Sequence, residues 1–192
     1  MHIDPSGNVV GAYAKNHLVM FGECIPLVKS IPWVRDFVPP GLGLDAGDRP
    51  EIFQVGSLKV LPNLCIETAV ERIAIDHLRR VERADVIVTL TNDAWFDHSA
   101  VVGHHLRCAQ MVAIGCRRPI LSAANGGPTA WIDSYGQVLK QLAYDQPGEI
   151  LVTPNLDRRR SLYVRFGAWP SSIFAIVFLV ACFNGIASWR RR

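Results

Sequence analysis

The sequence contains few of the features that mark metal-binding, disulfide-rich or nucleic-acid-binding proteins. Its five cysteines, at positions 24, 65, 108, 116 and 182, form no CxxC pair, which argues against a zinc site and against a disulfide framework. We therefore expect no metal and no cofactor. Basic residues are not interleaved with aromatic residues along one face, so the sequence does not predict nucleic acid as a partner.

Charge is also scarce. Charged side chains make up 19% of the 192 residues and apolar ones 49%, which is enough apolar surface for one sizeable core. Between Trp169 and Trp189 there is no charged side chain, and Arg190–Arg192 follow. Such a run is long enough to span a membrane, and the terminal arginines predict a cytoplasmic end. A buried C-terminal core helix is the alternative.

The start of the chain lacks the apolar stretch of a signal peptide. His2, Asp4 and the turn at residues 5–7 stand in its place. A periplasmic domain without an export signal would need membrane spans upstream of this sequence, or a C-terminal helix that acts as a tail anchor. We keep both topologies open.

Short apolar runs and helical periodicity predict a layered α+β fold. Helices are expected at residues 69–83 and 100–116. Strands are expected at residues 9–13, 52–65 with a turn at Gly56, 86–91, 120–124, 129–133, 137–142 and 148–153. Residues 26–50 are rich in proline and glycine and predict a long loop of the kind that often forms a lid or a binding segment.

Cys65 is the most informative residue, because it ends an apolar run and precedes a helix-like segment. A helix N-terminus at that point would stabilise a nucleophilic thiolate. Lys15 is a candidate to supply positive charge and to donate to an oxyanion. Glu23 and Glu67 are candidates to orient that lysine or an incoming amine. From spacing alone, a buried structural cysteine is the favoured interpretation of Cys65.

Three segments together resemble the nitrilase-type enzymes, and among these the apolipoprotein N-acyltransferase family. Residues 15–23, KNHLVMFGE, are similar to that family's lysine motif with its glutamate. Cys65-Ile66-Glu67 is similar to its Cys-Tyr-Glu motif, with Ile66 in place of the aromatic residue, and residues 92–96, NDAWF, are similar to its active-site loop. The family's general-base glutamate precedes the lysine by far more than fourteen residues, so no residue here takes its place.

The resemblance implies a particular organisation. Residues 1–157 would form the second half of a nitrilase-type α/β sandwich, residues 158–168 a basic linker, residues 169–189 one transmembrane helix and residues 190–192 a cytoplasmic tail. It also implies a catalytic set of Cys65, Lys15, Glu67 and Glu23, with Trp95, Phe96 and Asn92 contacting the substrate. The domain would face the periplasm from the bacterial inner membrane.

The activity that the resemblance implies is acyl transfer through a cysteine thioester. A phospholipid would donate the fatty acyl group, and the N-terminal diacylglyceryl-cysteine of a lipoprotein would accept it. Two alternatives remain: a nitrilase-type amidase that hydrolyses a small amide, and a non-catalytic membrane-anchored remnant or partner. His104 and His105 are adjacent, so they are interpreted as packing or surface histidines rather than as metal ligands.

Overall fold

The computed structural model describes residues 1–25, 32–37, 43–96, 99–144 and 146–189. Two short strands, β1 (His2–Ile3) and β2 (Val9–Gly11), pair in antiparallel fashion. The main sheet consists of β3 (Phe53–Val55), β4 (Leu58–Leu64), β5 (Val86–Asn92), β6 (Ile120–Asn125), β7 (Ala130–Ile132) and β8 (Val138–Gln141). The α-helices are α1 (Glu71–Arg80), α2 (Ala100–Cys116), α3 (Leu162–Phe166) and α4 (Trp169–Trp189), and 3-10 helices form at Pro32–Phe37, Cys65–Ala69 and Asp93–Phe96.

The strands of the main sheet lie side by side in chain order, from β3 to β8. The pairs β4–β5 and β5–β6 are parallel, and the other pairs are antiparallel. Parallel neighbours need a crossover, which α1 supplies between β4 and β5 and α2 between β5 and β6. Consequently β4, β5 and β6 end at the same edge of the sheet, at Leu64, Asn92 and Asn125.

The core lies between this sheet and the helices that cover it. Leu61, Ile87 and Ile120 of the three parallel strands are fully buried. They belong to one apolar cluster with residues of α1, α2 and α3, namely Ala74, Ile75, Leu78, Ala109, Val112, Ala113, Cys116 and Val164. This packing fixes the parallel strands, and with them the edge at which they end.

Most of the predicted elements are present. The helix at 100–116 and the hairpin of β7 and β8 are confirmed. The helix predicted at 69–83 is shorter than expected: α1 runs from Glu71 to Arg80, Ala69 belongs to a separate 3-10 turn, and the backbone is extended at Val81. The strand predicted at 148–153 is wrong: these residues pair with no strand of the described chain, and Leu151 is 91% exposed.

Pro62 lies inside β4 although proline cannot donate to a strand ladder. The pairing of β3 with β4 ends at Val60. Pro62 therefore lies beyond the part of β4 that pairs with β3. The missing N–H group therefore removes no hydrogen bond to β3.

Helix α4 has the bounds of the predicted membrane segment, and many of its apolar side chains, including Phe174, Phe178 and Phe183, are exposed. Nevertheless, within the portion of the chain that the structure describes, no helix has both the length and the apolar character needed to cross a membrane. The predicted transmembrane span is thus not confirmed. The predicted boundaries at 157, 168 and 189 stay predictions; α3 lies between the first two, and its Val164 is buried.

Candidate active site

Cys65 is positioned by a sharp change of backbone direction. Strand β4 ends at Leu64, and Cys65 opens the 3-10 helix with a φ of 51°. A residue with a Cβ rarely adopts this left-handed conformation; where it does, the cost is about 1–3 kcal/mol, and such residues cluster at functional sites. The half-buried thiol therefore lies at a strained elbow at the edge where the parallel strands end.

The helix dipole expected behind Cys65 is not provided by this elbow. The 3-10 helix is only five residues long, and α1 begins separately at Glu71. Because the dipole of a helix depends on many aligned peptide groups, so short a turn contributes little. Any stabilisation of a thiolate must come from side chains and from individual backbone N–H groups.

Glu67 is the centre of the hydrogen-bond network beside the elbow, and it is fully buried. Its Oε1 accepts hydrogen bonds from the backbone N–H groups of Asn16 and His17 and from the Tyr13 hydroxyl, the last at 2.8 Å. Its Oε2 accepts from the N–H of Leu64 at 2.8 Å and from the same hydroxyl at 2.9 Å. One carboxylate therefore joins the segment that carries Lys15 to the strand end that carries Cys65.

Lys15 and Glu23 form a close ion pair. The Lys15 Nζ donates to both carboxylate oxygens of Glu23, at 2.8 and 2.7 Å, and the backbone N–H of Val19 donates to the Oε2 at 2.8 Å. The lysine side chain is only 10% exposed. Burial alone would raise the pKa of Glu23, but the hydrogen bonds from Lys15 and Val19 and the charge of Lys15 outweigh it, so the pKa lies below its ordinary value.

Tyr13, Asn16 and His77 surround the Glu67 carboxylate from the side of α1. The His77 Nε2 lies 2.8 Å from the Asn16 Oδ1, and the rings of Tyr13 and His77 meet edge to face. Burial, followed by the charge of Glu67, raises the pKa of Tyr13 far above its ordinary value. Burial also lowers the pKa of His77, although the Glu67 charge opposes this shift. Both side chains therefore stay neutral near pH 7.

The predicted substrate-contacting residues follow β5 at the same edge. Trp95 is 79% exposed, whereas Phe96 packs edge to face on the His105 ring at 5.9 Å. Asn92 accepts a hydrogen bond at its Oδ1 from the Asn125 Nδ2 at the end of β6. Trp95 is thus available to a ligand, while Phe96 and Asn92 already have contacts within the protein.

Asp93 is a candidate functional residue that was not predicted from the sequence. Asp93 is fully buried, and its Oδ1 accepts hydrogen bonds from the His105 Nδ1 at 2.7 Å and the Thr91 hydroxyl at 3.0 Å. An acidic side chain next to Asn92 was a sequence signal that could have identified it. Its hydrogen-bond partner His105, however, lies twelve positions away on α2. His105 is buried, as a packing histidine would be. Among the described residues no group of three or more His, Cys, Asp or Glu is arranged to hold a metal.

The chain is similar to a known protein family in sequence and to known structures in fold. The family model described as carbon-nitrogen hydrolase matches residues 1–163. The chain belongs to the carbon-nitrogen hydrolase family. An amidase from Nesterenkonia sp. has a similar fold, with a TM-score of 0.55 at 18% identity over 76% of this chain and 50% of that one. This likeness supports the predicted nitrilase-type α+β fold for the part of the chain that it covers, and it carries no information about the substrate.

Curated relatives of this carbon-nitrogen hydrolase bear the name apolipoprotein N-acyltransferase. The protein from Rhodopirellula baltica is 59% identical over 183 residues, which are 92% of this chain and 32% of that protein. The protein from Haemophilus ducreyi is 30% identical over 174 residues, or 90% and 34% of the two chains. The sequence therefore spans about a third of the length of these relatives, and the resemblance inferred from the three motifs is confirmed.

Proposed function

We propose that this carbon-nitrogen hydrolase chain contributes the nucleophile of an apolipoprotein N-acyltransferase. The observation that carries the proposal is the bonding of Glu67, which accepts hydrogen bonds from the backbone N–H groups of the two residues after Lys15 and of the residue before Cys65. Cysteine and lysine thereby lie on neighbouring, fixed segments. The similarity to relatives named apolipoprotein N-acyltransferase supports this choice of reaction.

In the proposed reaction the Cys65 thiolate attacks the ester carbonyl of a phospholipid. A C–S bond forms, the C–O ester bond breaks, and the lysophospholipid leaves after taking a proton. The α-amine of a lipoprotein's diacylglyceryl-cysteine then attacks the thioester. A C–N bond forms, the C–S bond breaks, the amine loses a proton and the thiol is regenerated.

Lys15 is proposed to stabilise the oxyanion that develops in both steps. Its ammonium group is shielded from solvent, so a hydrogen bond to a developing negative charge is stronger there than in water. The role of Glu23 is to hold the ammonium group, since both of its oxygens accept from Lys15. Glu67 is proposed to position the two segments rather than to react, because its oxygens are occupied by donors from Tyr13, Asn16, His17 and Leu64.

A general base for the thiol proton is not supplied by either of these glutamates. Glu23 is bound to Lys15, and Glu67 is buried among donors. Proton transfer by a positioned side chain contributes about 10²–10⁴-fold to such reactions. We therefore propose that this chain alone turns over little and that the base is supplied by a further segment of the nitrilase-type domain.

The proposed location is the bacterial inner membrane, with the catalytic residues on the periplasmic side. A phospholipid donor and a lipoprotein acceptor both require the site to lie at a membrane surface. The exposed apolar side chains of α4 and the exposed indole of Trp95 support this location. Membrane flotation of the full chain, compared with a chain ending at residue 167, tests the part played by α4.

The activity is tested with purified full chain in phospholipid vesicles that contain a diacylated lipopeptide. The preceding residues of the Rhodopirellula baltica relative are supplied as a separate polypeptide in a parallel reaction. Conversion that requires both polypeptides and is lost in Cys65→Ala is expected. Conversion by the isolated chain, also lost in Cys65→Ala, would show that the base is present. Absence of both conversion and acylated Cys65 would contradict the proposed function, and release of ammonia from small amides would favour the amidase.

A further inference from the structure

The buried Asp93–His105 pair stands apart from the Lys15, Glu23 and Glu67 network, and nothing in the proposed reaction uses it. Asp93 begins the 3-10 turn that carries Trp95, and His105 lies one turn into α2. The two side chains are 0% and 6% exposed, and their hydrogen bond measures 2.7 Å. A charge-assisted bond of this length inside the protein is among the stronger hydrogen bonds available to a loop.

Asp93 and His105 also line a small cavity together with Cys65. The cavity therefore connects the elbow that presents the thiol with the first residue of the turn that presents Trp95. The Thr91 hydroxyl adds a second hydrogen bond to the same Asp93 oxygen, at 3.0 Å. The Phe96 ring packs against the His105 ring from the other end of the turn.

The neighbouring glycine turn shows how closely this region is packed. A Cβ placed on Gly127 would lie 2.3 Å from the Asp93 Oδ2, and one placed on Gly126 would lie 2.9 Å from the Ala94 Cα. Contacts below 3 Å are not tolerated, so only glycine fits at either position. The turn of residues 92–96 is therefore held by α2 on one side and by the end of β6 on the other.

We infer that the Asp93–His105 pair is a positioning pair that fixes the turn of residues 92–96, so that Trp95 meets the acyl chain of the donor while Cys65 attacks it. The inference rests on the proposed function, because it assumes an acyl chain at Cys65. His105 acts through Asp93 and does not itself touch the substrate. Loss of the pair should therefore weaken reaction with long-chain donors and leave the intrinsic reactivity of the thiol unchanged.

Two probes with the same reactive group separate these effects. Iodoacetamide and N-hexadecyl iodoacetamide differ only in the alkyl chain, and the rate of alkylation at Cys65 is measured for each by peptide mass spectrometry on the full chain in the same micelles. His105→Gln moves the donor away from the Nδ1 position, whereas His105→Asn keeps an amide donor near it. Thr91→Val removes only the weaker bond to Asp93 and serves as a milder variant if the glutamine protein does not fold.

The expected result for His105→Gln is a drop of about tenfold in the rate with the hexadecyl probe, within the roughly 10²-fold that a displacement of about 1 Å can cost. The iodoacetamide rate should change by less than about twofold, and His105→Asn should restore most of the loss, as expected for a positioning effect. Hydrogen exchange should rise at residues 92–96 and stay unchanged in β4. Thr91→Val should show the same pattern with a smaller amplitude.

The outcomes distinguish this inference from the function on which it rests. If Trp95→Ala lowers the hexadecyl rate and the His105 and Thr91 variants do not, the positioning role is refuted while the acyl site stands. If Trp95→Ala has no effect, the acyl site itself is refuted and the inference falls with it. An equal loss with both probes in His105→Gln would also refute positioning, because it would place His105 in the proton path of Cys65.

Discussion

Replacing Glu67 by glutamine is the most direct test of the network that joins the lysine segment to the elbow. The substitution keeps the size of the side chain and changes one carboxylate oxygen into an amide NH₂ group. In the structure all groups that face this carboxylate are donors: the Tyr13 hydroxyl and the N–H groups of Leu64, Asn16 and His17. A glutamine has only one side-chain oxygen, so it can accept hydrogen bonds from the donors at one of the two oxygen positions. Its NH₂ group would face the donors at the other position and could not accept from them.

The magnitude follows from these contacts. The favourable orientation keeps the amide oxygen toward Asn16 and His17 and leaves the N–H of Leu64 without an acceptor. A buried donor without a partner costs about 1–3 kcal/mol. The two remaining N–H bonds change from charge-assisted to neutral and weaken by roughly half, while the cost of burying a charge disappears. We expect the free energy of unfolding to fall by about 2–4 kcal/mol.

Urea unfolding measures this loss. With a slope of about 2 kcal/mol per M, typical of a small protein, the midpoint should fall by roughly 1–2 M while the slope stays constant. Glu82→Gln is the matched control, because Glu82 is exposed and such a change usually alters stability by less than about 0.5 kcal/mol. A Glu67→Gln midpoint that coincides with that of the control would refute the assigned network.

Three further predictions concern titration and reactivity. The raised pKa of Tyr13 means that folding favours its neutral form, so its contribution to stability should be complete below about pH 10 and fall above that pH. In a plot of urea midpoint against pH, Tyr13→Phe should therefore flatten the decline at alkaline pH. An unchanged decline would contradict the burial of this hydroxyl. The lowered pKa of His77 means that its contribution to stability is present above about pH 6.5 and is lost as the pH falls through the pKa of the folded state. His77→Gln should therefore remove the loss of stability between about pH 6.5 and 4. A steeper loss in this variant would mean that folding raises the pKa of His77. Burial raises the pKa of Cys116 to about 12 and also raises the pKa of Cys108. Iodoacetamide at about pH 8 should therefore label Cys65 before either of them, as measured by peptide mass spectrometry. Labelling of Cys116 first would mean that Cys65 is a structural cysteine.

Local sequence patterns predicted the parts of the fold that depend on neighbouring residues. The apolar spacing of residues 100–116 and the two short strands expected at 129–133 and 137–142 were sufficient to locate α2 and the β7–β8 hairpin. The apolar run before Cys65 placed it at a strand end. The failed strand at 148–153 shows the limit of such patterns, because a strand forms only where a partner strand offers its backbone groups.

The sequence motifs named the residues of the candidate site, whose roles stay predictions, but not the contacts between these residues. The motifs identified Lys15, Glu23 and Cys65, and the Lys15–Glu23 contact spans only eight positions. The partners of Glu67 lie 50 to 54 positions away, apart from Leu64. Contacts of that range depend on the topology of the sheet, which brings the chain start to the elbow. The Asp93–His105 bond likewise depends on how α2 crosses back over the sheet.

The acidic residues near the elbow bear on the proposal that a further base takes the Cys65 proton. A buried carboxylate is stable as an anion only when donors or cations surround it. Both oxygens of Glu23 accept from Lys15, and both oxygens of Glu67 accept from backbone N–H groups. Asp93 has His105 and Thr91 at its Oδ1, while its Oδ2 has no hydrogen-bond partner among the described residues. For Glu23, the hydrogen bonds from Lys15 and Val19 and the charge of Lys15 outweigh burial and hold the pKa below its ordinary value, which opposes uptake of a proton. The oxygens of Glu67 are occupied by the donors that join the lysine segment to the elbow. We therefore propose that the base for Cys65 is a group other than Glu23 and Glu67.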